Sequence, residues 1–205
     1  MANVKITDLT AAGTPLAGTE QLEIVQSGFS RKVAASAIGN SATAVPYASL
    51  AGRAYISAIS TTDQTGSVSV ATAVKLENVV FNSGITIAND GGGNPTRITF
   101  AAAGTYALAP SFQFKNTDSA DHDVTFWFRK NGTNIANSAS VAHVPKAADG
   151  GVMLSQIVFY ETVTAGQYIE IMWLPENVAV TLDFLAAGAI APAVPSVILA
   201  AERIA

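Results

Sequence analysis

From about residue 66 to the C-terminus, apolar and polar residues alternate in short runs, and that period of two admits strands and little else. Val124, Phe126 and Phe128 fall on one face, with Thr125, Trp127 and Arg129 on the other. Ile169, Ile171 and Trp173 alternate with Tyr168, Glu170 and Met172, and Val178, Val180, Leu182 and Phe184 alternate with Ala179, Thr181 and Asp183. Turn-forming clusters stand between the runs: Asn89 to Pro95, Asn131-Gly132, Ala148 to Gly151, Ala165-Gly166 and Pro175 to Asn177. About eight to ten strands are expected, with no helical periodicity longer than two turns, so the expected fold class is all-β, a sandwich or jelly roll.

Two zones precede this region. Residues 1–40 contain the alternating runs Gln21 to Gln26 and Phe29 to Val33 around Ser27-Gly28, which predicts a hairpin. Ala34 to Ile38 suggests one helical turn stopped by Gly39. A lone hairpin is marginal in water, so such an arm needs a surface to dock against. Residues 41–65, rich in Ala, Ser and Thr, read as a linker, leaving 66–205 as the β domain.

Only 13% of the residues are charged, against about 25% in an ordinary soluble domain, while 49% are hydrophobic. A lone copy would show much weakly polar surface, which favours self-association or a large partner. With a net charge of −4 and no Lys/Arg cluster, the chain lacks the basic stripe that nucleic acid requires. The absence of cysteine excludes disulfides, cysteine-ligated zinc, iron–sulfur clusters and a thiol nucleophile. No N-terminal signal is evident, and Leu185 to Ala201 is interrupted by Gly188, Pro192 and Pro195, so no membrane insertion is expected.

Catalytic and ligand motifs are equally scarce. The two histidines, His122 and His143, lie in different segments. Asp118 to Asp123 lacks the ligand spacing and turn glycine of a calcium loop and reads as a solvated connection between strands. Gly91-Gly92-Gly93 precedes a strand-like run and no Lys-Ser/Thr pair, which makes it a flexible loop and no phosphate cradle. Asn131-Gly132-Thr133 fits a glycosylation acceptor, but Asn-Gly is better explained as a type I′ turn. With no nucleophile elbow, metal set or acid–base pair in view, the expectation is a non-enzymatic chain without cofactors.

Phe100 to Phe112 with Gly104-Thr105-Tyr106, Phe126 to Gly132 with Ile135-Ala136, Thr164 to Trp173, and Pro195 to Leu199 together resemble the C1q/tumour-necrosis-factor-like jelly roll of bacteriophage structural proteins. The resemblance covers roughly residues 66 to 205 and implies a homotrimer with an apolar seam along its axis. Phe126, Phe128, Ile171 and Trp173 are then expected in the core or the seam. The N-terminal zone resembles the short motif that opens phage fibre and head-fibre chains: Ile6 and Leu9, Leu16 to Glu20, Leu22 to Val25, and Lys32-Val33. That resemblance implies attachment through Leu22, Ile24, Val25, Phe29, Arg31 and Lys32 to a major capsid protein or another virion protein.

The expected function is capsid decoration: a cement or head-fibre homotrimer on the virion surface, assembled in the host cytoplasm. The missing shaft repeats weigh against a long tail fibre. The alternative is a short tail-fibre or receptor-binding protein recognising host surface glycan, with Trp127 or Trp173 as a platform.

Overall fold

The structure is a computed structural model that describes residues 21–26, 29–34 and 53–205, the first two stretches by their backbone pairing. The chain divides into two units, Met1–Gly52 and Arg53–Ala205.

In the first unit, β1 (Gln21–Gln26) pairs antiparallel with β2 (Phe29–Ala34), and Gln26 stands opposite Phe29. This is the register of a hairpin closed by two residues. Leu22 lies opposite Val33 and Ile24 opposite Arg31, while Val25 and Lys32 occupy the alternating positions, opposite Ser30 and Glu23. The expected helical turn at 35–38, and the motif residues Ile6, Leu9 and 16–20, lie outside the described residues.

The second unit is a sandwich of two antiparallel sheets. Its strands are β3 (Tyr55–Ser60), β4 (Gln64–Thr65), β5 (Thr72–Ala73), β6 (Asn78–Ser83), β7 (Ile85–Asn89), β8 (Pro95–Phe100), β9 (Gly104–Asn116) and β10 (His122–Lys130). They continue with β11 (Thr133–Asn134), β12 (Ser140–Val144), β13 (Val152–Gln156), β14 (Phe159–Val163), β15 (Tyr168–Pro175), β16 (Val180–Leu182) and β17 (Val197–Arg203). One sheet runs β4-β16-β9-β17-β3-β6, and β13 and β14 also pair with the long β9. The other runs β11-β10-β15-β8-β7, with β12 on β10 and β5 on β15.

The chain crosses between the sheets again and again: β3 in the first, β8 in the second, β9 in the first, β10 and β12 in the second, β13 and β14 in the first, β15 in the second and β17 in the first. This interleaving is the double Greek key of a jelly roll. The all-β expectation therefore holds.

Alternation builds the core. Tyr106, Leu108, Phe112 and Phe114 of β9 point inward against Val124, Phe126 and Phe128 of β10 and Ile169, Ile171 and Trp173 of β15. Aromatic rings carry the contact between sheets, with Phe112 and Phe126 centred 4.9 Å apart and Phe114 and Trp173 6.3 Å apart. The Asn131-Gly132 turn has φ of 48° and 83°, both positive as a type I′ turn requires, and it joins Lys130 to Thr133 in a two-residue hairpin loop. Gly91, Gly92 and Gly93 sit in the loop between β7 and β8, where Asp90 Oδ1 accepts the backbone N–H groups of Gly92 and Asn94.

Two expectations need correction. The linker does not extend to residue 65, because the second unit begins at Arg53 and β3 is inserted between β17 and β6 with Ile56 and Ala58 in the core. Ser57 stands opposite Ala200, Ala58 opposite Leu199 and Ser60 opposite Val197, so this run of small residues is a paired strand instead of a flexible tether. Nor does β15 have a solvated face: Glu170 and Met172 are buried along with Ile169, Ile171 and Trp173. The strand lies between β10 on one side and β8 and β5 on the other, with β5 pairing at Met172 and Trp173, and Arg129 and Arg97 reach the Glu170 carboxylate.

Candidate functional site

The outer faces of the two sheets differ in kind. On the β6-β3-β17-β9 sheet, the outward positions of β9 and β17 include Ala107, Ala109, Ile198 and Ala200. Large apolar residues surround them: Phe81 is 58% exposed, Tyr160 59% and Leu154 63%. Tyr55 and Phe81 meet edge to face with ring centres 6.0 Å apart. A groove of about 420 Å³ runs between them, lined by Ala107, Ala109 and Ala200 together with Tyr55, Phe81 and Tyr160. Glu202 also lines the groove, and toward the far end of β9 the ion pair of Lys115 and Asp183 closes at 3.2 Å. Contiguous exposed apolar surface of this kind marks an interaction site.

Charge gathers on the other sheet. Glu170, 2% exposed, accepts hydrogen bonds from Arg129 Nε at 3.0 Å and from the Thr96 hydroxyl at 3.1 Å. Arg129 Nη2 stands 2.9 Å from the same carboxylate, and Arg97 Nε lies 3.9 Å away. The Arg97 guanidinium also lies 4.4 Å above the centre of the Tyr168 ring, a cation–π contact. One buried carboxylate thus orients the arginine across from it on the neighbouring strand, as burial of a charge demands.

At one end of the sandwich, histidines and carboxylates interlock. His122 Nε2 is 2.7 Å from Asp118 Oδ2, and the Asp118 carboxyl is held below its usual range first by that hydrogen bond and then by the Ser119 N–H. Asp121 accepts the Lys146 N–H at 2.7 Å, and Ser119, Ala120, Asp121 and Asp123 are exposed, as expected of a solvated connection between strands. His143 Nδ1 lies 2.8 Å from Asp123 Oδ1, and Nε2 lies 3.7 Å from Asp121. Among the described residues no three His, Asp or Glu side chains are grouped to hold a metal ion.

The Asp123 hydrogen bond raises His143 above the ordinary histidine value of about 6.5, with the charges of Asp123 and Asp121 acting in the same direction. A raised folded-state value means that the stabilisation is complete below the ordinary value and disappears as pH rises through the raised one. Asp123→Asn is therefore expected to move the His143 midpoint downward in an NMR titration, and an unchanged midpoint would refute the assignment.

Phe126, Phe128, Ile171 and Trp173 all lie in the core. Trp173 is fully buried and offers no platform, while Trp127 is half-buried with its indole N–H donated to Asn134 Oδ1 at 2.8 Å. The attachment residues Leu22, Ile24, Val25, Phe29, Arg31 and Lys32 lie on the two strands of the hairpin. Sequence reasoning missed the exposed apolar face and the Glu170 cluster. The signal for the second was present, as a carboxylate in the middle of the apolar run Ile169 to Trp173.

No family model matches the sequence, and no curated protein matches it. Among solved structures, the chain is similar to murine APRIL at pH 8.5, with 10% identity, coverage of 74% of this chain and 99% of that one, and a TM-score of 0.46. Murine APRIL at pH 5.0 gives 9% identity, the same coverage and a TM-score of 0.48. The jelly-roll assignment rests on the strand order itself.

Proposed function

We propose that this chain is a non-enzymatic structural protein of a virus particle, a homotrimer that decorates the capsid and is held there by its N-terminal hairpin. The observation that carries the reading is the contrast between the sheets: one presents Ala107, Ala109, Ile198 and Ala200 ringed by exposed Phe81, Leu154 and Tyr160, while the other holds the cluster of Glu170 with Arg129 and Arg97. A face of that composition is covered by a second copy of the chain, and the low charge content is what such burial leaves behind. Small residues at its centre permit close approach of the copies. Native mass measurement at micromolar concentration tests the assembly directly, since a dominant 21.1 kDa species would end it.

Attachment follows from the arm. Three arms on one trimer bind with avidity, and each large side chain buried on the particle contributes about 1.5 to 3 kcal/mol. Ile24→Asp is expected to strip the protein from virions, whereas Arg31→Ala weakens attachment only slightly. Release by high salt alone, with Ile24→Asp still attached, would reassign the anchor to Arg31 and Lys32. Imaging of labelled virions separates the head surface from the tail tip, the position expected of a glycan-binding short tail fibre.

A further inference from the structure

The sheet opposite the apolar face contains an opening of its own. β8 and β15 pair only at Thr99 with Tyr168 and at Ile98 with Ile169, and beyond that point they part. The segment carrying β5 threads the gap, its Val74 N–H bonding Ile171 and its Leu76 N–H bonding Pro95. Beside it lies a pocket of about 290 Å³ lined by Lys75, Asp90, Asn94, Thr96, Arg129 and Met172, with Ala71 to Ala73 completing the wall.

The pocket is built on fixed supports. Glu170 holds two of its residues, Thr96 and Arg129, in place from beneath. It occupies Arg129 Nε and Nη2, while Nη1 makes no hydrogen bond within the described residues. The Lys75 backbone is clamped by the buried Gln64 amide, which accepts its N–H at 2.8 Å and donates to its carbonyl at 3.0 Å, while the ammonium is in no ion pair among the described residues. Asp90 Oδ1 is engaged by the N–H groups of Gly92 and Asn94, whereas Oδ2 meets only the Asn94 amide at 3.4 Å. Two cations with open donors therefore share one small cavity with a carboxylate and an amide, over the apolar surface of Met172.

We propose that this pocket binds a carboxylate-bearing sugar ring, the acidic unit of a surface polysaccharide. Arg129 and Lys75 receive the carboxylate, Asp90 and Asn94 receive ring hydroxyls, and Met172 meets the C–H face. The cavity stands at the lower end of the size range for ligand pockets, which suits one ring. The proposal is independent of the trimer, because the pocket and the apolar face belong to different sheets.

The test is saturation-transfer NMR and calorimetry on the full chain with glucuronate, glucose and inorganic phosphate as probes. Glucuronate is expected to bind in the millimolar range and at least tenfold tighter than glucose. Lys75→Ala, at an exposed position, and Asp90→Asn should each weaken it about tenfold or more, and Arg129→Lys should weaken it by a smaller factor. Equal binding of glucose and glucuronate, phosphate binding as tight as glucuronate, no detectable glucuronate binding, or full affinity in Lys75→Ala would each overturn the proposal. Native mass on the same samples reads the assembly separately, so a monomer that still binds glucuronate refutes the trimer and leaves the pocket standing.

Discussion

Ala200→Glu is expected to convert the assembled protein to monomers without unfolding the sandwich. Ala200 is exposed on the outer face of β17, between Ile198 and Glu202, so a longer side chain there meets solvent in the isolated chain. Surface substitutions of this kind change stability by about 0.5 kcal/mol or less. In a trimer closed over this face the new carboxylate enters an apolar seam with no cation provided for it, and an unpaired buried charge costs several kcal/mol per copy. Symmetry triples the effect, so association should weaken by well over a hundredfold. Sedimentation and native mass would show the 21.1 kDa species, while the thermal midpoint of that monomer reports an intact fold. A variant that remained trimeric would move the interface off this sheet, and Ile198→Asp is the second probe of the same face.

Trp173→Ala is expected to be the most damaging core substitution, costing about 3 to 5 kcal/mol, a large part of the 5 to 15 kcal/mol that holds a domain of this size folded. The indole is fully buried, lies 6.3 Å from the Phe114 ring, and packs closely on Gly66, where an added Cβ would come within 3.1 Å of its Cη2. Its Nε1 has no hydrogen-bond partner among the described residues. That orphan donor makes a second outcome predictable: Trp173→Phe removes the unpaired N–H and keeps most of the ring, so its cost should be far smaller, about 1 kcal/mol. Urea denaturation of the two variants measures the difference. If phenylalanine proved as costly as alanine, the indole N–H would have to be satisfied in solution.

The strands legible in the sequence were those with one wet face. Val124, Phe126 and Phe128 announce β10 because Thr125 and Arg129 separate them, and Asn131-Gly132 fixes the turn that follows. β15 was legible as a strand but not as one buried on both faces, since alternation cannot say that Arg129 and Arg97 of the neighbouring strands will close over Glu170. β3 was hidden by its Ala and Ser residues, which are poor strand formers alone and are held in the sheet by pairing with β17 on one side and β6 on the other. The apolar face was illegible for a related reason. Phe81, Leu154, Tyr160 and Ile198 come from four strands scattered along the chain, and only the sheet brings them to one surface. The polar pocket depends likewise on a break in pairing between β8 and β15 that no local pattern encodes.

β17 sits in the interior of its sheet, paired on one side with β3 and on the other with β9. Ser196, just before it, hydrogen-bonds to Ser60 across 136 positions of sequence. During synthesis, at about 5 to 20 residues per second, β3 therefore waits roughly 7 to 27 seconds for its neighbour to be made. Until β17 is made, β3, and β9 once it has been synthesised, present open edges that any strand of similar pattern can occupy, including one from an adjacent nascent chain. Copies made on one messenger RNA emerge close together, so the order of translation puts closure of this sheet in direct competition with exchange of β17 between chains.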